Sequence, residues 1–275
     1  MDYANVKKLA DEEFRRLTGV KRKVFEEMAD VLRERQNACR LRGGRKGRFC
    51  AEDRLLIMLE YWREYRTQFH MAQSRGVSET RIWEIIRECE DALIKSGKFT
   101  LPGRKALLKS DMRYEVVLID ATETPVERPK KKQRRWYSGK KKRHTLKTQL
   151  AVDKITSAII CLGHEKGRLH DIRLLKDSRT RLRPETKAIV DLGYLGLQNT
   201  HADTEMPKKS SKKNPLTKED KARNRAVSRK RILCENVIAA VKRFRILSER
   251  YRNRRRRFKL RFSLIAAFYN RGLLV

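Results

Sequence analysis

The spacing of apolar residues changes along the chain, and this change limits the fold more than any other feature. From residue 1 to about 100, apolar and charged positions alternate at helical spacing. From about 101 to 206, short apolar runs at 116–119 and 188–190 are typical of strands buried on both faces. The sequence therefore predicts an α/β fold class, with an all-α region at residues 1–100 and a mixed α/β domain at residues 101–275.

The second region contains further predicted elements. Residues 146–152 and 155–162 resemble two antiparallel strands joined by a tight turn at Asp153. Residues 167–181 have helical spacing. Beyond residue 207 the chain becomes strongly basic, which predicts a linker at 208–215, a long helix at 218–250 and a last helix at 259–269.

A helix-turn-helix is predicted inside the first region. A short helical run at 67–73 is followed by Gly76, and Ser78 then precedes a second amphipathic run. In such a motif the start of the second helix faces the major groove, here Ser78, Thr80 and Arg81. An ordinary helical hairpin is the alternative interpretation.

The charge balance points to a polyanionic partner. Lys and Arg number 69 against 34 Asp and Glu, which gives a formal net charge of +35. Nucleic acid fits best, because each neutralised phosphate releases counterions. A highly soluble protein or a membrane-surface binder remains an alternative. No apolar stretch approaches the ~20 residues of a membrane span, and the five scattered cysteines form no C-x-x-C pair, so we expect a cytoplasmic, nucleoid-associated protein.

Three carboxylates stand out in this basic chain. Asp120 and Asp191 each follow a predicted buried strand, and ligands collect at strand ends in α/β sheets. Glu235 lies in a very basic predicted helix and shares one helical face with Arg231 and Lys242. The alternatives are turn or cap roles for the aspartates, and a solvated Glu235–Arg231 pair.

Three oxygen ligands suit Mg²⁺ or Mn²⁺, and two such ions about 4 Å apart would support in-line displacement at phosphorus. Arg231 and Lys242 could then hold phosphates beside the metal. Three other acids lie near turns. Asp153 is expected in the hairpin turn, Asp171 at a helix start or beside the active site, and Glu123 in support of Asp120.

Residues 130–143 form a predicted basic hairpin that contains no acid. Its cations are expected to grip phosphates while Trp136 and Tyr137 stack on a base or wedge the duplex. A solvated loop whose aromatic residues cover the sheet edge is the alternative. The predicted DNA contacts are Lys130, Lys131, Lys132, Arg134, Arg135, Lys140, Lys141, Lys142 and Arg143.

These motifs together resemble a known family. The strings at 120–125, 135–147, 167–171 and 191–196, with Arg231, Glu235 and Lys242 at the spacing R-x3-E-x6-K, are similar to the ordered blocks of DDE transposases of insertion-sequence family five and their Harbinger-like relatives. The resemblance covers about residues 112–269. One departure is Ser228, where many relatives have Tyr.

The resemblance implies a ribonuclease-H-like core with a five-stranded mixed sheet, and a catalytic metal triad of Asp120, Asp191 and Glu235. It implies cleavage at the terminal inverted repeats of an element, joining to target DNA, and a homodimer or larger assembly. The alternatives are a domesticated DNA-binding protein without catalysis, a structural RNA-binding protein, and a host nuclease that cuts without joining.

Overall fold

The computed structural model describes residues 2–41, 43, 47–109, 114–211 and 214–275. The predicted linker at 208–215 and the start of the resemblance near residue 112 each include positions outside this description. The chain forms two compact units. One comprises residues 1–100, 241–249 and 257–275, and the other comprises residues 101–240 and 250–256. The C-terminal segment, expected in the α/β domain, thus belongs largely to the helical unit.

The described residues contain ten α-helices and six β-strands. The helices are α1 Tyr3–Val6, α2 Asp11–Thr18, α3 Arg22–Arg40, α4 Ala51–Arg63, α5 Gln68–Arg75, α6 Glu79–Lys95, α7 Asp171–Asp177, α8 Lys218–Lys242, α9 Arg245–Ser248 and α10 Phe258–Leu273. The strands are β1 Val116–Pro125, β2 Tyr137–Ser138, β3 Arg143–Asp153, β4 Ile159–Lys166, β5 Lys187–Val190 and β6 Thr204–Glu205. Short 3-10 turns connect several of them.

A buried carboxylate explains why α10 joins the helical unit. Glu90 on α6 is 0 % exposed and accepts hydrogen bonds from Nε of Arg261 at 2.6 Å and Nε of Arg257 at 2.5 Å. Trp62 of α4 donates to the same carboxylate and stacks on Phe268 of α10 at 5.9 Å. A buried charge must be paired in this way to be tolerated, so the two arginines fix α10 to α6.

The α/β unit is built on one mixed sheet. Its strand order is β2-β3-β1-β5-β6, and β4 also pairs with β3, along residues 146–152. The contacts of β3 with β1, β2 and β4 are antiparallel, whereas β1–β5 and β5–β6 are parallel. The resemblance implied five strands, and the two-residue β2 in the basic hairpin is the sixth.

Both faces of the central strand β1 are buried, as the apolar run at 116–119 predicted. Val117 and Ile119 belong to one core with residues of β3, β5 and α7, while Leu118 on the opposite face is also fully buried. The predicted β3–β4 hairpin is confirmed. Asp153 closes its turn, because its carboxylate accepts from the backbone N–H of Thr156 at 3.0 Å.

Several predicted boundaries are wrong. The helix expected at 167–181 is only α7, since β4 extends to Lys166 and a turn follows. The helix expected to reach residue 250 ends at Lys242, where Phe244 adopts an extended conformation before α9 begins. The last helix is longer than expected and ends at Leu273.

Candidate active site and nucleic-acid interface

Asp120 lies within β1 and not at its end, so the position predicted for it is wrong. Ala121 to Pro125 continue the strand, because each residue pairs with β3 as far as Thr145. Asp120 itself is opposite Leu150. Since side chains alternate along a strand, its carboxylate lies on the same face as Leu118, opposite the core that contains Val117 and Ile119.

Asp191 follows β5 directly, as predicted, and begins the 3-10 turn Leu192–Tyr194. Because β5 runs parallel to β1, the two aspartates lie on neighbouring strands. Both contact one side chain of α8. Nη2 of Arg231 is 3.3 Å from Oδ2 of Asp120, and Nη1 is 3.3 Å from Oδ1 of Asp191. The guanidinium therefore bridges the two carboxylates through its two Nη atoms.

Burial sets the electrostatics of this cluster. The side chain of Asp120 is 18 % exposed and that of Arg231 12 %, whereas that of Asp191 is 38 % exposed. Desolvation raises the pKa of Asp120; Arg231 and the backbone N–H of Ala121 oppose the rise, and the charges of Asp191 and Asp171 add to it. Asp120 is thus a carboxylate whose charge depends on a nearby cation.

Glu235 is not assembled with the two aspartates, contrary to the expectation of a three-carboxylate cluster. It is exposed, and the described residues contain no ion pair to it. Helix geometry gives the reason. The buried stripe of α8 includes Val227, Cys234 and Val241. Glu235 lies about 40° further around the helix from this stripe than Arg231 does, which leaves its carboxylate in solvent.

The remaining pair fits a hard divalent cation. Asp120 and Asp191 offer only oxygen ligands, and they converge on a single positive group, the guanidinium of Arg231. Within the described ranges, no group of three His, Cys, Asp or Glu side chains is arranged to hold a metal ion. A third ligand would have to come from a side chain outside the pair.

Glu123 does not support Asp120 in the way we expected. It lies three residues further along β1 and therefore on the opposite face of the sheet. There it accepts from Oγ1 of Thr145 at 2.8 Å. Lys147, directly opposite on β3, is 3.9 Å from Glu123 and donates to Oδ1 of Asp171 at 2.7 Å. The buried Lys147 thus forms ion pairs with Glu123 and Asp171 on the face of the sheet opposite Asp120.

Tyr194 and Gly193 are functional candidates that the sequence reasoning missed. Tyr194 is fully buried, and its hydroxyl donates to Oε1 of Gln149 at 3.3 Å. Burial, followed by the charges of Asp171 and Asp120, raises the pKa of Tyr194 far above its usual value, so it stays protonated. A methyl group at Gly193 would meet the carboxylate of Asp171. The glycine after Asp191 was a visible signal for this close approach.

The predicted helix-turn-helix is confirmed in the helical unit. Thr67 caps α5, Gly76 takes the left-handed conformation with φ 59°, and Oγ of Ser78 accepts from the N–H of Arg81 at 3.2 Å to cap α6. Ser78 and Thr80 are exposed at the start of the second helix, and Arg81 is half-buried in an ion pair with Glu84 at 3.0 Å. Trp83, 45 % exposed beneath Arg87, was missed.

The basic hairpin presents its cations to solvent, but its aromatic residues differ from each other. Tyr137 is 42 % exposed, with its ring edge-on to His144 at 5.7 Å. Trp136 is half-buried, with Arg255 4.4 Å and Lys166 5.8 Å from its ring centre. Tyr137 is therefore the better placed of the two to stack on a base, while Trp136 anchors cations at the sheet edge.

The cysteines and the hydropathy of the helices were the remaining features considered in the sequence. The cysteines Cys89, Cys161 and Cys234 are buried free thiols, and Cys50 is an exposed one. No helix in the described part of the chain is long and apolar enough to cross a membrane.

Comparison with known proteins identifies relatives of the whole chain. Residues 119–270 match the family model described as DDE superfamily endonuclease, and residues 48–99 match the helix-turn-helix of DDE superfamily endonuclease. The chain is also 44 % identical over 270 residues to a probable transposase for insertion sequence element IS702 of Microchaete diplosiphon, covering 98 % of each chain. No solved structure was found to match.

Proposed function

The chain belongs to the DDE superfamily endonucleases, and we propose that it cuts and joins DNA at the ends of its own insertion sequence. The observation that carries this proposal is the convergence of Asp120 and Asp191 on one cation. Asp120 lies on β1 and Asp191 directly follows the parallel strand β5, both inside the matched region, and together they offer the oxygen ligands that a phosphoryl-transfer site needs.

We infer a ribonuclease-H-like core from the order of the sheet. Apart from the short β2, the strands follow the order β4-β3-β1-β5-β6, with an antiparallel half and a parallel half. The first acid stands on the central strand and the second at the end of its parallel neighbour. The ordered motifs also support a place among the family-five, Harbinger-like transposases.

Asp120, Asp191 and Glu235 are the proposed ligands of Mg²⁺ or Mn²⁺. When bound, two such ions would activate the attacking oxygen and stabilise the leaving one. The chain's own residues would contribute electrostatic stabilisation at this site. Arg231 compensates the charge of the buried Asp120, and as a bidentate donor it is suited to hold a phosphate of the bound strand. Lys242, nearly two helical turns beyond Glu235 on α8, is a second proposed phosphate contact.

The two DNA-binding surfaces have separate proposed roles. Ser78, Thr80 and Arg81 at the start of α6 would read the terminal inverted repeat in the major groove. The cations of the basic hairpin would grip the backbone, with Tyr137 on a base. We further propose a homodimer or larger assembly that pairs two element ends, in the cytoplasm of a prokaryotic cell.

The test is strand transfer by the full chain with Mg²⁺. Its substrate is a duplex that carries the element's own terminal repeat, mixed with a labelled target duplex. We expect joined products from the intact chain and none from Asp191→Asn, although both bind the duplex equally. Cleavage without joined product would instead indicate an endonuclease that only cuts.

One observation favours a second candidate, a DNA-binding protein without catalysis. Glu235 is exposed, and Arg231 already forms an ion pair with each of the two aspartates. This candidate would be established if the intact chain and Asp191→Asn both bind the terminal repeat specifically and neither of them nicks it with Mg²⁺.

A further inference from the structure

A pocket of about 520 Å³ lies at the end of β1 and has a fixed floor. Its floor consists of the buried side chains of Val126, Pro129 and Tyr251. The N–H of Tyr251 donates to the carbonyl of Pro125 at 2.8 Å, and its hydroxyl donates to the carbonyl of Arg256 at 2.6 Å. These bonds tie the segment 250–256 to the end of the strand, so the pocket is a built feature of the α/β unit.

The rim of the pocket is strongly cationic. Arg128, Lys130, Lys131, Arg254 and Arg255 all line it and are all exposed, against the single acid Glu127. Within the described residues, none of these five cations forms an ion pair. Such a concentration of unneutralised charge on one small opening repels itself and favours an anion.

The backbone on one side of the rim is held in an uncommon conformation. Arg254 has φ 45° and Arg255 has φ 66°, a region that residues with a Cβ rarely occupy. The guanidinium of Arg255 is also placed by the ring of Trp136, 4.4 Å away. Strained positions persist where the surrounding structure fixes them, and they cluster at ligand sites.

We propose that this pocket binds one unstacked nucleotide of the DNA, with its base on the apolar floor and its phosphate held by Arg254 and Arg255. A phosphate alone needs no apolar floor, and the volume lies within the ~300–1,000 Å³ of pockets that take small ligands. An apolar surface beside Lys and Arg suits a base and its phosphate, because the base avoids water while the cations hold the phosphate. The inference rests on the proposed function and adds a second nucleotide site to it.

The position of the pocket predicts where this nucleotide lies on the strand. Val126, the first residue after β1, is six residues from Asp120, which corresponds to roughly 20 Å of extended chain. At about 3.4 Å per nucleotide of one strand, this is about six nucleotides from the bond that is cut. Neither Arg254 nor Arg255 belongs to the DNA contacts that the sequence predicted.

The test measures binding of fluorescein-labelled oligo(dT), twelve nucleotides long, to the full chain by anisotropy in 0.1 M salt without divalent metal. The pocket variant is Arg254→Gln/Arg255→Gln, which keeps two long side chains at the left-handed positions. The control is Lys176→Gln/Arg181→Gln, which removes the same charge from exposed residues outside the pocket. Thermal unfolding checks that all three proteins are equally folded.

Losing two phosphate contacts is expected to weaken binding about 25-fold and to lower the salt slope by about 1.4. The control should change binding by less than about threefold. The intact chain should bind an abasic twelve-nucleotide strand about tenfold more weakly than oligo(dT), because no base reaches the floor. Equal weakening in both variants, or equal binding of the abasic strand, would overturn the nucleotide site alone. No binding of either strand by the intact chain would overturn the proposed function with it.

Discussion

Arg231→Met tests the electrostatic balance of the site. This substitution preserves most of the side-chain volume on α8 but removes the cation that lies 3.3 Å from both Asp120 and Asp191. The two carboxylates are then left facing each other on adjacent strands. Among the described residues, the backbone N–H of Ala121, at 2.8 Å, is then the one donor that still compensates Asp120.

The cost can be estimated from burial. Removing one partner of a buried ion pair costs about 3–5 kcal/mol. Because the side chain of Asp191 is 38 % exposed, water screens its interaction with Arg231. We therefore expect Arg231→Met to lower the free energy of unfolding by about 2–3 kcal/mol. For a protein of this size, that corresponds to a fall of about 5–10 °C in Tm at pH 7.

The loss should depend on pH in a defined direction. The pKa of Asp120 is already raised by burial, and removal of Arg231 raises it further. A folded-state pKa above the unfolded value of about 3.9 means that protonation stabilises the fold. The deficit of the variant is therefore small near pH 4 and grows as the pH rises through the folded pKa of Asp120.

The assay is thermal unfolding at pH 4, 5, 6 and 7.5, with Arg229→Met as the matched control from the exposed side of the same helix. Adding Asp120→Asn to Arg231→Met should restore most of the lost Tm, because the uncompensated charge is gone. An equal Tm change in Arg231→Met and Arg229→Met would show that Arg231 does not compensate the two carboxylates. A deficit that does not vary with pH would show that Asp120 is not the group whose charge is left uncompensated.

Three further predictions concern other parts of the chain. Ser78→Ala should cost about 1 kcal/mol in urea denaturation through loss of the α6 cap, while Ser78→Asp, which can still cap, should not. Gly193→Ala should place a methyl group against Asp171, destabilise the turn by about 1–3 kcal/mol and slow DNA cleavage at least tenfold without weakening DNA binding; wild-type cleavage would contradict this. Burial opposes ionisation of Glu205, but the hydrogen bond and charge of Lys230 lower its pKa overall. Lys230→Gln should therefore lower the free energy of unfolding by about 1 kcal/mol at pH 7. This difference should disappear as the pH falls through the lowered pKa of Glu205. A deficit that stays the same over the whole acid titration of the folded protein would assign the loss to packing.

Local patterns in the sequence predicted the elements that hold the site. Short apolar runs identified β1 and β5, because strands buried on both faces have no polar alternation. Ser78 and Gly76 marked the two helix ends of the helix-turn-helix through capping and the left-handed turn. Asp191 was correctly placed after its strand for the same local reason.

Features that depend on tertiary pairing could not be read in this way. Asp120 was taken for a strand end because polar residues follow it, yet pairing with β3 carries the strand on to Pro125. Glu90 determines that α10 joins the helical unit, and its partner Arg261 is 171 residues away in sequence. A rotation of about 40° around α8 separates the partly buried Arg231 from the exposed Glu235, and spacing alone does not say which of them faces the sheet.

We propose that Glu235 completes a catalytic set with Asp120 and Asp191. The rate of Mg²⁺-dependent nicking at the element's end should therefore be compared between Glu235→Gln and Glu249→Gln, whose exposed acid is paired only with Arg245 among the described residues. Loss of a metal ligand should slow nicking at least about 100-fold, since a bound metal supplies several kcal/mol of transition-state stabilisation. We expect this loss in Glu235→Gln, unchanged nicking in Glu249→Gln and equal DNA binding by both. Nicking by Glu235→Gln at the wild-type rate would contradict the claim.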